Sequence, residues 1–102
     1  MKKWRKKEIK DAVDFKGKLT PRSGGYFSFP GDVTTDTFLI DSKVTEKRSF
    51  SITENMWKKV FTEALKSRRL PCLSISLINY GIDLVVLDKN DFVSFLKKGD
   101  KI

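Results

Sequence analysis

The sequence predicts an α/β fold, a single domain in which helices flank a central mixed β-sheet. Two stretches with helical periodicity are each followed by strand-like segments, and a short helical pattern closes the chain. The length of 102 residues supports one compact domain, over residues 1–102, and is too short for two. Helix, strands, helix, strands and a short helix, in that order, are typical of layers packed around a mixed sheet.

The first 15 residues are predicted to form a helix. Its lysines lie mostly off the side that carries the apolar residues, as expected for an amphipathic surface helix. The carboxylate of Glu8 is the exception on that side, and it either neighbours a lysine at the rim or points into a site. The residues that share this side, at spacing i, i+4, i+5, i+8 and i+9, are Trp4, Glu8, Ile9, Ala12 and Val13.

A glycine- and proline-rich loop and a β-hairpin are predicted next. Residues 16–31 form the loop, with a short strand at Tyr26–Phe29. The hairpin has one strand at Asp32–Val33, a turn, and a second strand over Thr37–Thr45. Alternation along the second strand places Leu39, Asp41, Lys43 and Thr45 on one face and Phe38, Ile40, Ser42 and Val44 on the other.

The second half of the chain is predicted to contain a helix, a strand pair and a short helix. Thr53 is suited to cap the start of the first helix, and Pro71 bars its continuation. Cys72–Ile78 and Ile82–Leu87 are predicted to pair around a turn, and Asn90 to cap the last helix. The apolar stripe of the middle helix consists of Met56, Trp57, Val60, Phe61, Ala64 and Leu65.

Composition excludes several kinds of chemistry. The chain has no histidine, so Ser-His and Cys-His pairs and His-ligated zinc are excluded, and the single Cys72 excludes an internal disulfide. The net charge of +8 favours a polyanionic partner, nucleic acid before an anionic membrane, although excess lysine also serves solubility. No membrane span or signal peptide is present in the pattern, so we expect a cytoplasmic protein without a membrane partner.

The most specific candidate site consists of Asp32, Asp41 and Lys43. In the predicted hairpin Asp32 comes beside Asp41, and Lys43 lies on the same face about 7 Å further along. Two carboxylates and the backbone carbonyl of Ser42 suit Mg²⁺, and a lysine beside such an ion would counter charge during phosphodiester hydrolysis. The alternative is a solvent-facing ion pair, worth about 0–1 kcal/mol. The apolar segment Phe38–Ile40 favours the site, because burying charges without a purpose is costly.

Short motifs in the chain resemble the PD-(D/E)XK nuclease superfamily, and within it the archaeal-type Holliday junction resolvases and their small phage relatives. The motifs are Arg22-Ser23-Gly24-Gly25, Gly31-Asp32-Val33 and Phe38–Thr45, within a similarity over residues 4–98. The resemblance implies a restriction-endonuclease-like αβββαβ core. It also implies a homodimeric, Mg²⁺-dependent endonuclease, with Mn²⁺ able to substitute. Such an enzyme cuts four-way DNA junctions by paired symmetric nicks in a prokaryotic or phage-infected cell.

The resemblance also implies a role for each matching residue. Lys43 would be the catalytic lysine, and Ser23 would match the loop serine near the scissile phosphate. Asp41 stands where many relatives have glutamate, which shortens the side chain by one methylene group. The residues that would hold the metal are Asp32, Asp41, the carbonyl of Ser42, and Glu8, which matches an acidic residue of the family's first helix. Asp11 and Asp14 compete with Glu8 for this match, but each lies further from the centre of the apolar stripe.

The basic residues around this site are expected to contact the DNA backbone, with no apparatus for reading bases. Each of them is otherwise a solvated surface charge. Trp57 and Phe61, or Phe92 and Phe95, are candidates for a dimer patch or for core. The expected DNA contacts are Arg5, Arg22, Ser23, Lys47, Arg48 and the lysines of the first helix.

Two other functions remain open from the sequence. One is a nuclease of the same superfamily that nicks DNA or cuts flaps. The other is a non-catalytic basic DNA-binding module, which accounts for the charge but leaves the ordered set of Asp32, Asp41 and Lys43 without a purpose. No small-molecule substrate is expected.

Overall fold

The computed structural model describes residues 2–19 and 33–99, and these residues form a five-stranded mixed sheet with three helices. The predicted α/β class is confirmed. The predicted strand at Tyr26–Phe29 lies outside the described residues. In chain order the elements are α1 (Lys3–Asp14), β1 (Lys18–Leu19), β2 (Val33–Thr34), β3 (Phe38–Thr45), α2 (Glu54–Lys66), β4 (Leu70–Leu77), a 3₁₀ turn (Ile78–Tyr80), β5 (Ile82–Leu87) and α3 (Lys89–Lys97).

The strands lie in the sheet in chain order, β1-β2-β3-β4-β5. β3 and β4 are parallel over their full length, with Phe38 paired to Leu70 and Thr45 to Leu77, whereas the other neighbours are antiparallel. A parallel pair needs a crossover connection, and α2 supplies it. The carboxyl ends of β3 and β4 therefore meet at one edge of the sheet.

Helices α1 and α2 cover opposite faces of the sheet, and the alternation predicted for β3 is confirmed. Leu39 packs with Val60 and Ala64 of α2. Ile40 packs in a second cluster with Ala12 of α1. We call these the α2 face and the α1 face. Asp41 and Lys43 share the parity of Leu39 and lie on the α2 face, and Ser42 lies on the α1 face.

The buried side of α1 differs from the predicted one. Glu8 is buried as expected, but Lys7 and Asp11 are buried as well. Ile9 and Val13, which were expected to pack inward, are exposed, with Val13 at 72%. The prediction of this stripe was wrong because the sheet beneath α1 offers hydroxyl groups that can satisfy buried charges.

Lys7 and Asp11 form a buried network with three serines, which we call the α1 network. The Lys7 Nζ donates to Ser74 Oγ at 3.0 Å and to Ser76 Oγ at 2.8 Å. It also lies 3.2 Å from Asp11 Oδ2, which accepts a 2.6 Å hydrogen bond from Ser42 Oγ. The network therefore ties α1 to both β3 and β4, and each charge in it depends on the other for compensation.

Of the two helix N-caps predicted from the sequence, that of α2 is confirmed and that of α3 is wrong. The Thr53 hydroxyl accepts from the Met56 N–H at 3.2 Å, which confirms the predicted cap of α2. The cap of α3 is Asp88, not Asn90, because the Asp88 carboxylate accepts from the N–H groups of Asn90 and Asp91.

Close approach of two backbone segments explains why residue 17 is glycine. Two features of the strands also differ from the prediction, namely the presence of β1 and the start of β4. A Cβ added at Gly17 would lie 2.7 Å from the carbonyl oxygen of Thr34, so only glycine allows the end of α1 to meet β2 here. β1 was not predicted, since two residues are too few to show alternation. β4 begins at Leu70, so Pro71 is part of the strand.

We predict that Asp11→Leu destabilises the protein by about 3 kcal/mol, because it leaves the buried Lys7 ammonium without its counter-charge. The double variant Lys7→Met/Asp11→Leu should recover most of this loss, since it removes both charges. Urea unfolding followed by circular dichroism measures the change. Glu54→Gln, which breaks the exposed i,i+4 pair with Lys58, is the control and should cost about 0.5 kcal/mol or less. A double variant no more stable than Asp11→Leu would contradict this account.

Candidate active site

Asp41 and Lys43 form an ion pair on the α2 face of β3. The Lys43 Nζ lies 3.3 Å from Asp41 Oδ2, with 28% of the lysine side chain and 17% of the aspartate side chain exposed. The pair is thus half-buried, next to the apolar cluster of Leu39, Val60 and Leu73. The pair lies on a strand held between two neighbours, so the sheet fixes its position while part of each side chain remains reachable from solvent.

The surroundings of Asp41 act on its ionisation in opposite directions. Burial raises the pKa of the Asp41 carboxyl above its ordinary value, and the neighbouring Lys43 charge and hydrogen bond partly offset this. Two side chains of α2 also contribute: the charge of Lys59 lowers the pKa of Asp41, and that of Glu63 raises it. A carboxyl whose pKa is shifted by burial and by specific charges is a common property of functional sites.

Lys59 and Glu63 were not identified from the sequence. They are four residues apart on α2, and each is one position before a core residue, Val60 or Ala64. The helical spacing places them on one flank of α2. The sequence does not tell which flank lies above β3, so their proximity to Asp41 could only be read from the packing.

Glu8 and the Ser42 side chain lie on the other face of the sheet. Glu8 is fully buried on α1, and its Oε1 accepts a 3.4 Å hydrogen bond from Arg5 Nη1. The Ser42 hydroxyl donates to Asp11 in the α1 network. The structure therefore does not bring Glu8 onto the same face as Asp41 and Lys43, and the role of the Ser42 carbonyl as a ligand stays a prediction.

Three of the predicted site residues, Arg22, Ser23 and Asp32, lie outside the described residues. Asp32 directly precedes Val33 in the sequence, and Val33 is the register partner of Ile40, the residue before Asp41.

The described residues do not by themselves make up a Mg²⁺ site. Within residues 2–19 and 33–99, no three acidic, cysteine or histidine side chains form a group that could hold a metal ion. On the α2 face, Asp41 offers carboxylate oxygens of the type that Mg²⁺ prefers, and Glu63 is the nearby acidic group of α2. A Mg²⁺ ion at this face would therefore need a further carboxylate, and Asp32 is the residue that the sequence offers for it.

The predicted DNA contacts that the structure describes fall in two places. Arg5 lies on α1, with 43% of its side chain exposed, and bonds to Glu8. Lys47 and Arg48 are exposed just after the carboxyl end of β3. Arg48 donates from Nε to the Tyr80 hydroxyl at 3.2 Å, with its guanidinium 5.9 Å from the Tyr80 ring centroid. Their role in DNA binding stays a prediction.

Cys72 is not suited to act as a nucleophile. It is buried on the α1 face, and burial together with the Asp11 charge raises the pKa of its thiol to about 12. The thiolate, which is the reactive form, is therefore disfavoured at neutral pH.

In the described part of the chain, none of the helices combines the length and the apolar character that crossing a membrane requires.

Comparison of the chain with protein-family models, with curated proteins and with solved structures gave no match.

We predict a pH-dependent stability difference between the wild-type protein and Asp41→Asn. Because the folded protein raises the pKa of Asp41, it binds the proton more tightly than the unfolded chain does. The ionised carboxylate thus opposes folding increasingly as pH rises from about 4 towards the raised folded pKa. Asp41→Asn should therefore gain stability relative to wild type as pH increases from 4 to 7, in urea unfolding at each pH.

Asp83→Asn is the control of opposite sign. The hydrogen bond from Ser76 lowers the pKa of the exposed Asp83. This substitution should therefore lose stability relative to wild type as pH rises from that lowered pKa to about 4, and should differ from wild type by a constant amount between pH 4 and 7. A constant difference between Asp41→Asn and wild type across the range would contradict the burial of an ionisable Asp41.

Proposed function

We propose that this chain is a cytoplasmic, Mg²⁺-dependent endonuclease that cuts four-way DNA junctions by phosphodiester hydrolysis. The observation that carries the proposal is the half-buried pair of Asp41 and Lys43 at 3.3 Å on a central strand. The order α1-β1-β2-β3-α2-β4 agrees with the αβββαβ core that the sequence resemblance implies. The net charge of +8 suits a nucleic-acid substrate.

Hydrolysis joins a water oxygen to the phosphorus as the bond to the leaving sugar oxygen breaks, and extra negative charge develops on the phosphate oxygens. The Lys43 ammonium group is placed to donate hydrogen bonds to this charge. Asp41 accepts from Lys43 and so holds its side chain in one direction. Because the pair is partly desolvated, its interaction with a bound phosphate is stronger than it would be in water.

In this proposal Asp41 and Asp32 hold the metal, since Glu8 belongs to the α1 face. When bound, Mg²⁺ would polarise the phosphate oxygens and make a water molecule more acidic. Lys59 and Glu63 complete the charge around Asp41. Lys59 would attract the phosphate, and the negative charge of Glu63 would favour a cation close to Asp41.

We further propose that the enzyme is a homodimer, because two symmetric nicks require two sites related by a two-fold axis. Large apolar side chains are exposed on the flank of α2 away from Lys59, and on β5. Phe95, in contrast, stacks on Phe38 with ring centroids 5.7 Å apart and is less suited to a contact. The exposed side chains that favour this surface are Phe61, Leu65, Ile82 and Leu84.

We predict that wild-type protein with Mg²⁺ introduces symmetric nicks near the branch point of a labelled four-way junction and leaves a linear duplex of the same arm sequence intact. Asp41→Asn and Lys43→Met should lower cleavage by about 100-fold or more while junction binding survives. Asp36→Asn, in the exposed turn before β3, is the matched control and should cleave normally. Denaturing gels measure cleavage, native gels measure binding, and sedimentation of the same samples should give twice 11.8 kDa.

Each alternative has its own outcome in this experiment. Cleavage by Asp41→Asn at the wild-type rate would contradict the assignment of the active site to Asp41 and Lys43. Equal cutting of junction and duplex would replace the junction resolvase with a less selective nuclease. Binding of the junction without any cleavage would replace the enzyme with a DNA-binding module, and a mass near 11.8 kDa at micromolar concentration would contradict the dimer.

A further inference from the structure

A groove of about 260 Å³ separates α1 from the carboxyl ends of β3 and β4. One wall is formed by α1, and the other by β3 and the 3₁₀ turn that follows β4. The floor includes the Lys7, Asp11 and Ser76 groups of the α1 network, so its shape is fixed by buried hydrogen bonds and its charges compensate each other. We call it the α1 groove; its lining includes Lys3, Lys6, Lys7, Lys10, Val44 and Ile78.

The lysines along this groove follow the spacing of one helix face. They occur at i, i+3, i+4 and i+7 from Lys3 to Lys10, which covers about 10 Å along the helix axis. Two successive phosphates of one nucleic-acid strand fit within this length. The methylene chains of the lysines and the side chains of Val44 and Ile78 provide apolar surface between the ammonium groups. Sugars of the nucleic acid can pack on this surface.

The ammonium groups at the rim can exchange partners with a phosphate. Lys3 pairs with Glu46, and Lys10 lies 3.7 Å from Asp83, in pairs that are more than half exposed. Exposed ion pairs contribute little to stability, so a phosphodiester can replace the carboxylate at little cost. Among the described residues, no carboxylate forms an ion pair with the exposed Lys6.

A second depression continues the α1 groove around the end of β3. Its volume is about 350 Å³, and it shares Lys3, Val44 and Ile78 with the first. Thr45, Glu46 and Lys47 line it as well. Val44 belongs to the α1 face and Thr45 to the α2 face, so the depression reaches the carboxyl end of β3, where the two faces of the sheet meet. Thr45 is two residues beyond Lys43, or about 7 Å along the strand.

We propose that the α1 groove binds consecutive phosphates of one nucleic-acid strand and leads that strand around the carboxyl end of β3 to Asp41 and Lys43. The end point of this path rests on the proposed function, whereas the binding of phosphates in the groove does not. Lys6 and Lys10 at the rim contact the phosphates. Lys7, whose charge is compensated by Asp11 in the α1 network, holds the floor of the groove in place.

The test is the double variant Lys6→Gln/Lys10→Gln, whose exposed side chains can be changed without disturbing the core. Fluorescence anisotropy measures binding of a labelled four-way junction at several NaCl concentrations without Mg²⁺. Binding should weaken about tenfold or more at low salt. The slope of log affinity against log salt should become shallower by about two, at about 0.9 for each lost phosphate contact.

The matched control is Lys89→Gln/Lys97→Gln, two exposed lysines of α3, which packs through Phe95 on Phe38 at the opposite end of β3. It removes the same charge and should change affinity about twofold or less. Equal losses in the two variants would overturn the groove, because the effect would then reflect net charge alone. The protein could instead broaden the phosphorus resonance of inorganic phosphate while the groove variant keeps the wild-type DNA affinity. That result would overturn the proposal that a nucleic-acid strand is the ligand of the groove.

Failure of the groove and failure of the nuclease are distinguishable. Junction cleavage by a groove variant whose affinity and salt slope equal those of wild type would overturn the groove and leave the nuclease intact. A wild-type protein that binds the junction through the groove lysines but does not cleave it would support the groove while contradicting the catalytic role of Asp41 and Lys43.

Discussion

The buried ion pair between Lys7 and Asp11 is the constraint on which the arrangement of this molecule depends. An ammonium group and a carboxylate can remain between a helix and a sheet only if their hydrogen bonds are satisfied. Here the hydroxyls of Ser42, Ser74 and Ser76 satisfy them from two adjacent strands. The helix can therefore take up only one position over the sheet, since any shift along it would leave a buried charge without a partner.

Fixing Ser42 towards α1 also decides what the other face of β3 carries. Because strand side chains alternate, Asp41 and Lys43 must point to the α2 face, where burial shifts the pKa of the carboxyl and the helix adds Lys59 and Glu63. Hydrolysis is thus proposed for the α2 face of the sheet, and binding of the nucleic-acid strand for the groove on the α1 face. The two faces meet at the end of β3, where the chain turns through Thr45 to Lys47.

Features set by neighbouring residues could be predicted from the sequence, and features set by distant ones could not. The two faces of β3 follow from alternation, and the cap at Thr53 follows from its own backbone geometry. The burial of Lys7 contradicts every local signal of α1, since its partners Ser74 and Ser76 lie more than sixty residues away. The same limit applies to Glu8, whose inward position was predictable while the face of the sheet that it joins was not.

Mn²⁺ binding tests whether the metal is held by Asp41 on the α2 face. The electron paramagnetic resonance signal of the free ion measures this binding in wild type, Asp41→Asn and Glu8→Gln. Placing the metal on the α2 face predicts that Asp41→Asn weakens binding about tenfold or more, since a carboxylate ligand is lost. Glu8→Gln should bind Mn²⁺ as wild type does, because Glu8 lies on the other face. Undiminished binding by Asp41→Asn, or loss of binding by Glu8→Gln in a protein that still folds, would contradict the assignment of the active site.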